Sequence, residues 1–266
     1  MKRLRFWLTA CLTALLAIGL VTACNPGGSS GGSNSGGKTL TMATSADYPP
    51  YEFVDSSSGN QQVIGFDVDI AKHITEKLGY ELKIDNVDFN GLIPALQSKR
   101  ADFVMAGMTP TAERKKSVDF SVSYYDAKNT IVAKKGSNLT TAESLSGKTV
   151  GVQLGSIQEK AAKDIKDIQV KQLNRISEMV QELKAGRVNA LIMEDTVAKG
   201  FIASNPDLEF NTIPSQGESG SAIAFPKDSE LIAKFDPILA EMKSSGKLEE
   251  LITKWFGADA PAAAKS

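Results

Sequence analysis

Residues 148–163 read KTVGVQLGSIQEKAAK. Lys148–Gln153 is read as a strand and Ser156–Lys163 as a helix, with only a short turn between them. The same succession recurs on both sides. Thr39–Thr44 is a short β-prone run. Asp67–Leu78 (DVDIAKHITEKL) carries Val68, Ile70, Ala71, Ile74 and Leu78 as a helical stripe closed by Gly79. Glu81–Val87 reads as a strand, Asn90 opens a helix through Gln97, and Asp102–Ala106 (DFVMA) is a buried-strand candidate. Ser117–Phe120 follows a short helix, and a second unit begins near Thr130. Gln169–Gln172 is a weak strand, Ile176–Ala185 a helix ended by Gly186, and Ala190–Met193 a strand leading into a helix at Asp195–Ala203. Ser229–Met242 and Lys247–Trp255 are amphipathic helices. This alternation predicts an α/β architecture with mainly parallel sheets, divided between two lobes.

Length and composition narrow the function classes. A chain of 266 residues suits one large domain or two small ones with a substantial core. The balance of 30 Lys+Arg against 31 Asp+Glu argues against a nucleic-acid partner. Two Cys exclude a disulfide scaffold and a paired CxxC zinc site, and one His excludes two-His metal motifs. That residue, His73, lies mid-helix among Lys72, Glu76 and Lys77, which suits a partly exposed position. There is no Walker loop, GxGxxG or HExxH, and no GxSxG outside a Gly/Ser tract. No catalytic residue, metal or cofactor is expected.

The charge is unevenly placed. Lys2, Arg3 and Arg5 precede the uncharged apolar stretch Phe6–Ala23, the layout of a secretory signal. Val21-Thr22-Ala23-Cys24 resembles a bacterial lipobox, so 1–23 is expected to be removed, with Cys11, and Cys24 to carry lipid. The remaining count is 27 against 31, near −4. Asn25–Gly37 (NPGGSSGGSNSGG) reads with Cys24 as a flexible tether at 24–37, its r.m.s. reach about 20 Å. The tail 257–266 has little to bury and is expected to be disordered.

Six further segments carry a resemblance: ATSADYPPYEF (Ala43–Phe53), IGFDVDI (Ile64–Ile70), DFNGLIPAL (Asp88–Leu96), AGMTPTAERKK (Ala106–Lys116), GKTVGVQLGSIQE (Gly147–Glu159) and ALIMEDTV (Ala190–Val197). In this order they resemble the polar amino acid-binding proteins of bacterial ABC importers. These are family 3 solute-binding proteins of the lysine/arginine/ornithine-, histidine- and glutamine-binding type. The resemblance covers essentially all of 38–256. It implies the two-lobed periplasmic-binding-protein-like fold (type II), with two crossover hinge strands and a ligand clamped in the cleft. Lobe 1 would hold 38–128 plus 218–256 and lobe 2 would hold 129–217. The chain would leave lobe 1 near Ala127–Ile131 and return near Glu218–Ala224.

Burying an amino acid uncovers a carboxylate and an ammonium, each costly unless paired. Arg114, in TAERKK, matches the family's carboxylate-binding Arg, and its planar fork suits two parallel hydrogen bonds. A surface Arg beside Lys115 and Lys116 is the plainer alternative. The backbone N–H groups of Ser156 and Ile157, opening a helix, would meet the same carboxylate. Asp195 is expected to pair with the α-ammonium, assisted by the Gly107 carbonyl and Thr109 hydroxyl, with Met108 between them; a helix N-cap is its other role. Tyr48 and Phe89 match the family's aromatic pair around the ligand side chain, a contact worth about 0.5–2 kcal/mol to a cation.

Asp47, Glu52 and Asp67 are expected near the side-chain end, where acidity favours Lys, Arg or ornithine. Ser45 stands where the family commonly has an Asp that holds the ligand's distal group; either Asp47, two residues on, substitutes for it or the site prefers a neutral side chain. Gln153 and Gln158 add neutral polar groups, which leaves glutamine as the alternative ligand. The expectation is therefore a monomeric lipoprotein on the outer face of the bacterial membrane. It would capture a free basic amino acid and pass it to a permease and its ATPase. A cyclohexadienyl dehydratase-like enzyme on the same fold is the rival of another class. A sensory domain is a third reading, and it would need a separate signalling partner.

Overall fold

The computed structural model describes residues 38–55, 59, 61–214, 218–257 and 260. The readings of a signal at 1–23, a lipidated Cys24 and a tether at 24–37 lie outside these residues, as does most of the tail 257–266.

The described residues open with β1 (Lys38–Thr44), in which Met42 and Ala43 are wholly buried. A small antiparallel sheet follows, formed by β2 (Asp47–Tyr48), β3 (Glu52–Asp55) and β4 (Gln62–Ile64). Helix α1 (Phe66–Lys77) buries Phe66, Val68, Ile70, Ala71 and Ile74 on one side. Its acidic Asp67 and Asp69 lie in the first turn and Lys77 in the last, the polarity a helix dipole favours. Next come β5 (Tyr80–Asn86), α2 (Leu92–Gln97), β6 (Phe103–Val104) and β7 (Val118–Phe120).

The second half contains β8 (Asn129–Lys134), β9 (Thr149–Gln153), α3 (Ile157–Lys163), β10 (Gln169–Leu173), α4 (Ile176–Lys184), β11 (Ala190–Glu194), α5 (Asp195–Ser204) and β12 (Leu208–Thr212). The chain then returns through β13 (Ala224–Pro226) to α6 (Ile232–Ser244) and α7 (Lys247–Phe256). Helix α7 buries Leu248, Leu251 and Trp255 at helical spacing, and Trp255 meets Phe53 edge-on at 5.9 Å. No helix among the described residues is long and apolar enough to cross a membrane.

Two five-stranded sheets result, ordered β5-β1-β6-β13-β7 and β10-β9-β11-β8-β12. They are not purely parallel. In each, four strands point one way and one opposes them: β13 in the first, β8 in the second. Each opposing strand is the one that arrives from the other sheet. A strand entering by a crossover is free of the right-handed βαβ rule that aligns its neighbours. The crossings lie side by side, with Ser221 N–H donating to Tyr125 O (2.7 Å) and Tyr124 N–H to Ser221 O (2.8 Å). The carboxyl ends of β1, β5, β6, β9 and β11 run into the segments that build the site, the usual place for a ligand in an open α/β sheet.

Candidate functional site

A cavity of about 10 Å³ lies between the two sheets. That is about the room one water needs, so the two sides of the cleft nearly meet around it. The first sheet and its loops contribute Tyr48, Phe89, Ala106, Gly107, Thr109 and Arg114. The second contributes Gln153, Ser156, Ile157, Gln158 and Glu194. An outer hollow of about 170 Å³ shares Thr109, Ile157 and Glu194 with it.

Arg114 opens a short 3-10 turn beyond β6. Its Nη1 donates to Thr109 O (2.8 Å), its Nη2 donates across the cleft to Gly155 O (2.9 Å), and its guanidinium carbon sits 5.4 Å from the centre of the Phe89 ring. Burial pulls the guanidinium down to about 10, against the charges of Glu113 and Glu218. Among the described residues no carboxylate lies within ion-pair distance of it. Two carbonyls orient this cation but do not neutralise it, so its surroundings favour an anion.

Acid accumulates elsewhere in the site. Glu194, the last residue of β11, is 6% exposed, and its Oε2 has no hydrogen-bond partner. Burial pushes its carboxyl up to about 8; the charges of Asp195 and Asp67 add to this, while the Tyr51 and Tyr48 hydroxyls oppose it. Glu52 is wholly buried beside Asp67, and burial followed by that neighbouring carboxyl holds it well above the usual carboxylate range. Asp67 accepts from Gly107 N–H (2.9 Å) and the Tyr124 hydroxyl (2.8 Å). Burial pushes it up to about 7 despite those two donors. None of these three carboxyls has a Lys or Arg partner among the described residues. Nor does any cluster of their kind have the makings of a metal site there.

Strand alternation sorts the residues read from the sequence. On β2, Tyr48 faces the cavity, stacked on Tyr51 at 5.6 Å, while Asp47 turns away to the N–H of Ile176 (2.6 Å). Ser45 is buried behind, with its hydroxyl donating to Asp47 Oδ1 (3.2 Å). Gly107 and Thr109 line the cavity, whereas Met108 between them packs into the core and accepts from Ala222 N–H (3.0 Å). Gly107 is held at φ 54°, and a Cβ there would lie 3.3 Å from the Tyr48 ring, so glycine allows this close approach.

In the second half, Gln153 donates to Asn174 O (3.3 Å) and Gln158 donates to Asn129 Oδ1 (3.0 Å), both beside the cavity. The Ser156 hydroxyl caps α3 by accepting from Glu159 N–H (3.0 Å), and its own N–H donates to Gln153 O (3.2 Å). Both groups of Ser156 are thus engaged within the loop. Asp195 is set apart from the cavity wall. Its Oδ1 accepts from Lys128 N–H (3.1 Å) and its N–H donates to Lys128 O (2.9 Å), which ties the start of α5 to the crossover. The preceding residue, Glu194, occupies the wall; the reading of the sequence passed over it. The only hint was the adjacent carboxylates in Met193-Glu194-Asp195.

Known proteins are similar to this chain in sequence and fold. The arginine-binding extracellular protein ArtP of Bacillus subtilis (strain 168) is 49% identical over 255 residues, covering 94% of this chain and 97% of its own. AbpA from Streptococcus pneumoniae is an amino acid ABC transporter substrate-binding protein solved bound to L-arginine. It matches with a TM-score of 0.79 and 37% identity, over 84% of this chain and 96% of that one. An ancestral arginine-binding protein bound to glutamine matches with a TM-score of 0.76 and 43% identity, over 82% and 98%. The model of the bacterial extracellular solute-binding proteins, family 3, matches residues 40–258, and the chain belongs to that family.

Proposed function

We propose that the protein captures free arginine, or a closely related basic amino acid, by closing its two lobes, and delivers it to the permease and ATPase of an importer. One observation carries this reading: a half-buried Arg114 with no carboxylate partner and a buried Glu194 with no Lys or Arg partner among the described residues line the same cavity, and the buried carboxyls of Glu52 and Asp67 lie off its wall, Asp67 bonded to the cavity-lining Gly107. A ligand's ammonium and cationic side chain would favour the ionised form of these raised carboxyls, so one cation beside several acidic groups suits a zwitterion with a cationic side chain. Arg114 takes the α-carboxylate with its fork, and Glu194, rather than Asp195, takes the α-ammonium, aided by Thr109 and the Gly107 carbonyl. Tyr48 and Phe89 flank the side chain, whose charge is drawn by the acid around Glu52. Contacts from both halves make the closed form the one the ligand prefers.

The ligands in the names of ArtP and AbpA support arginine. The family is one of solute-binding proteins, which favours a binder over a dehydratase-like enzyme. Glutamine is a second reading, favoured by the cavity-lining Gln153 and Gln158 and by the glutamine-bound ancestral relative. Calorimetry with arginine, lysine, ornithine, histidine and glutamine tests both readings. Binding of arginine well ahead of glutamine is expected; glutamine ahead of arginine selects the second reading, and no binding by any of the five overturns both.

Export agrees with an extracellular family. We further propose that Cys24 carries a lipid anchor and that the exported protein acts as a monomer. Cys24→Ser should release it from the membrane fraction into the medium; retention on the membrane would contradict the anchor.

A further inference from the structure

Helix α4 lacks a cap of its own. A helix leaves its first N–H groups unsatisfied, and Ser, Thr, Asp or Asn usually supplies the missing acceptor at the N-cap. In α4 that position is Arg175, whose side chain makes no capping bond. The acceptor comes instead from Asp47, 129 residues away, whose Oδ2 accepts the Ile176 N–H at 2.6 Å. Asp47 belongs to β2 of the small three-stranded sheet, which directly follows β1 of the first sheet, whereas α4 packs on the second. The bond therefore spans the cleft. Beside it Arg175 turns its Nη2 to Asp88 Oδ1 (3.1 Å), a second crossing. Asp47 is not on the cavity wall, and its other oxygen is taken by Ser45.

We propose that Asp47 is a closure latch: by capping α4 from the opposite lobe it sets how firmly the closed form is held, without choosing which amino acid is inside. The latch lies beside the ligand rather than against it, so it adds equally to the binding of every ligand that requires closure. The groups that face it are Ser45, the Ile176 N–H, Arg175 and Asp88. Burial pushes Asp47 up to about 6, with the Ile176 and Ser45 donors and Arg175 opposing and Asp88 adding.

The inference rests on the closure reading above, and its test uses the full chain. Asp47→Ala removes the acceptor, Asp47→Asn keeps one, and Asp47→Ala with Arg175→Ser restores a cap within α4 but not the link across the cleft. Affinities for arginine and for a second amino acid that binds are measured together with the dissociation rate, the melting temperature and an inter-lobe distance from paired spin labels. Asp47→Ala is expected to weaken both ligands by the same factor, about tenfold, through faster dissociation. Asp47→Asn is expected within about threefold of the unaltered protein. The double variant should recover melting temperature but not affinity. An altered ratio between the two ligands would make Asp47 a ligand contact. Unchanged affinities, or affinity recovered in the double variant, would likewise overturn the latch. If the unaltered protein binds no amino acid, the binding reading fails; the latch is then judged by whether Asp47→Ala lengthens the ligand-free inter-lobe distance, and no lengthening overturns it.

Discussion

Arg114→Ala tests the anion end of the site. Of the five N–H groups of a guanidinium, two are committed to Thr109 O and Gly155 O, so a parallel pair can still meet a carboxylate. Each charge-assisted hydrogen bond contributes about 1.5–3 kcal/mol, so two should contribute about 4 kcal/mol. At about 1.4 kcal/mol per tenfold, the expected loss of affinity is about a thousandfold. Loss of the cross-cleft bond to Gly155 acts in the same direction. Arg114→Lys keeps a charge but not the fork, and should lose about half the energy, roughly thirtyfold in affinity. The assay is titration calorimetry with L-arginine, on variants whose circular dichroism and melting temperature show an intact fold. A folded Arg114→Ala protein that binds arginine within tenfold of the unaltered chain would refute the reasoning.

Other perturbations address the remaining parts. Glu194→Gln should cost at least thirtyfold in arginine affinity, since it removes a buried charge partner, while Asp195→Asn should cost less than fivefold; calorimetry giving the reverse order would return the ammonium to Asp195. Gly155→Ala should destabilise the fold by about 1 kcal/mol or more in chemical denaturation, because φ is 81° and the new Cβ would sit 3.3 Å from Asn90 Cβ; unchanged stability would remove the close approach. For pH, the carboxyls of Glu194 (about 8), Asp67 (about 7) and Asp47 (about 6) all stand above their ordinary values. A raised carboxyl means the native form binds more protons than the unfolded chain, so stability without ligand should fall as pH rises from about 4 to 8. The slope is about 1.4 kcal/mol per pH unit for each extra proton bound. Thermal melts should show this decline and its flattening by saturating arginine, whose cation favours the ionised carboxyls; stability that climbs with pH would contradict it.

Much of this was legible in the sequence, for reasons particular segments make plain. Strands flanked by helices announced themselves: Lys148–Gln153 became β9 and Ser156 became the cap of α3. The small sheet of β2, β3 and β4 escaped notice because strands of two to four residues carry too little periodicity. Strand β12 was missed too, since Leu208–Thr212 alternates weakly and draws its pairing from β8 rather than from local preference. Within the site, the residues read from the sequence and those on the cavity wall differ by one position. Asp47 and Tyr48 are neighbours in sequence but face opposite sides of a strand, and so do Met108 and Thr109 in effect. Glu194 ends a strand where Asp195 begins a helix, so the boundary between them decides which carboxylate meets the cavity. Motif position does not fix such facing; the register of the folded backbone does.

The central claim is that a zwitterion is clamped between Arg114 and a buried acidic end. It is tested most directly by titrating the purified protein with L-arginine and with agmatine, the same cation without its carboxylate. The account predicts that arginine binds and that agmatine binds at least a hundredfold more weakly. Equal binding of the two would contradict it.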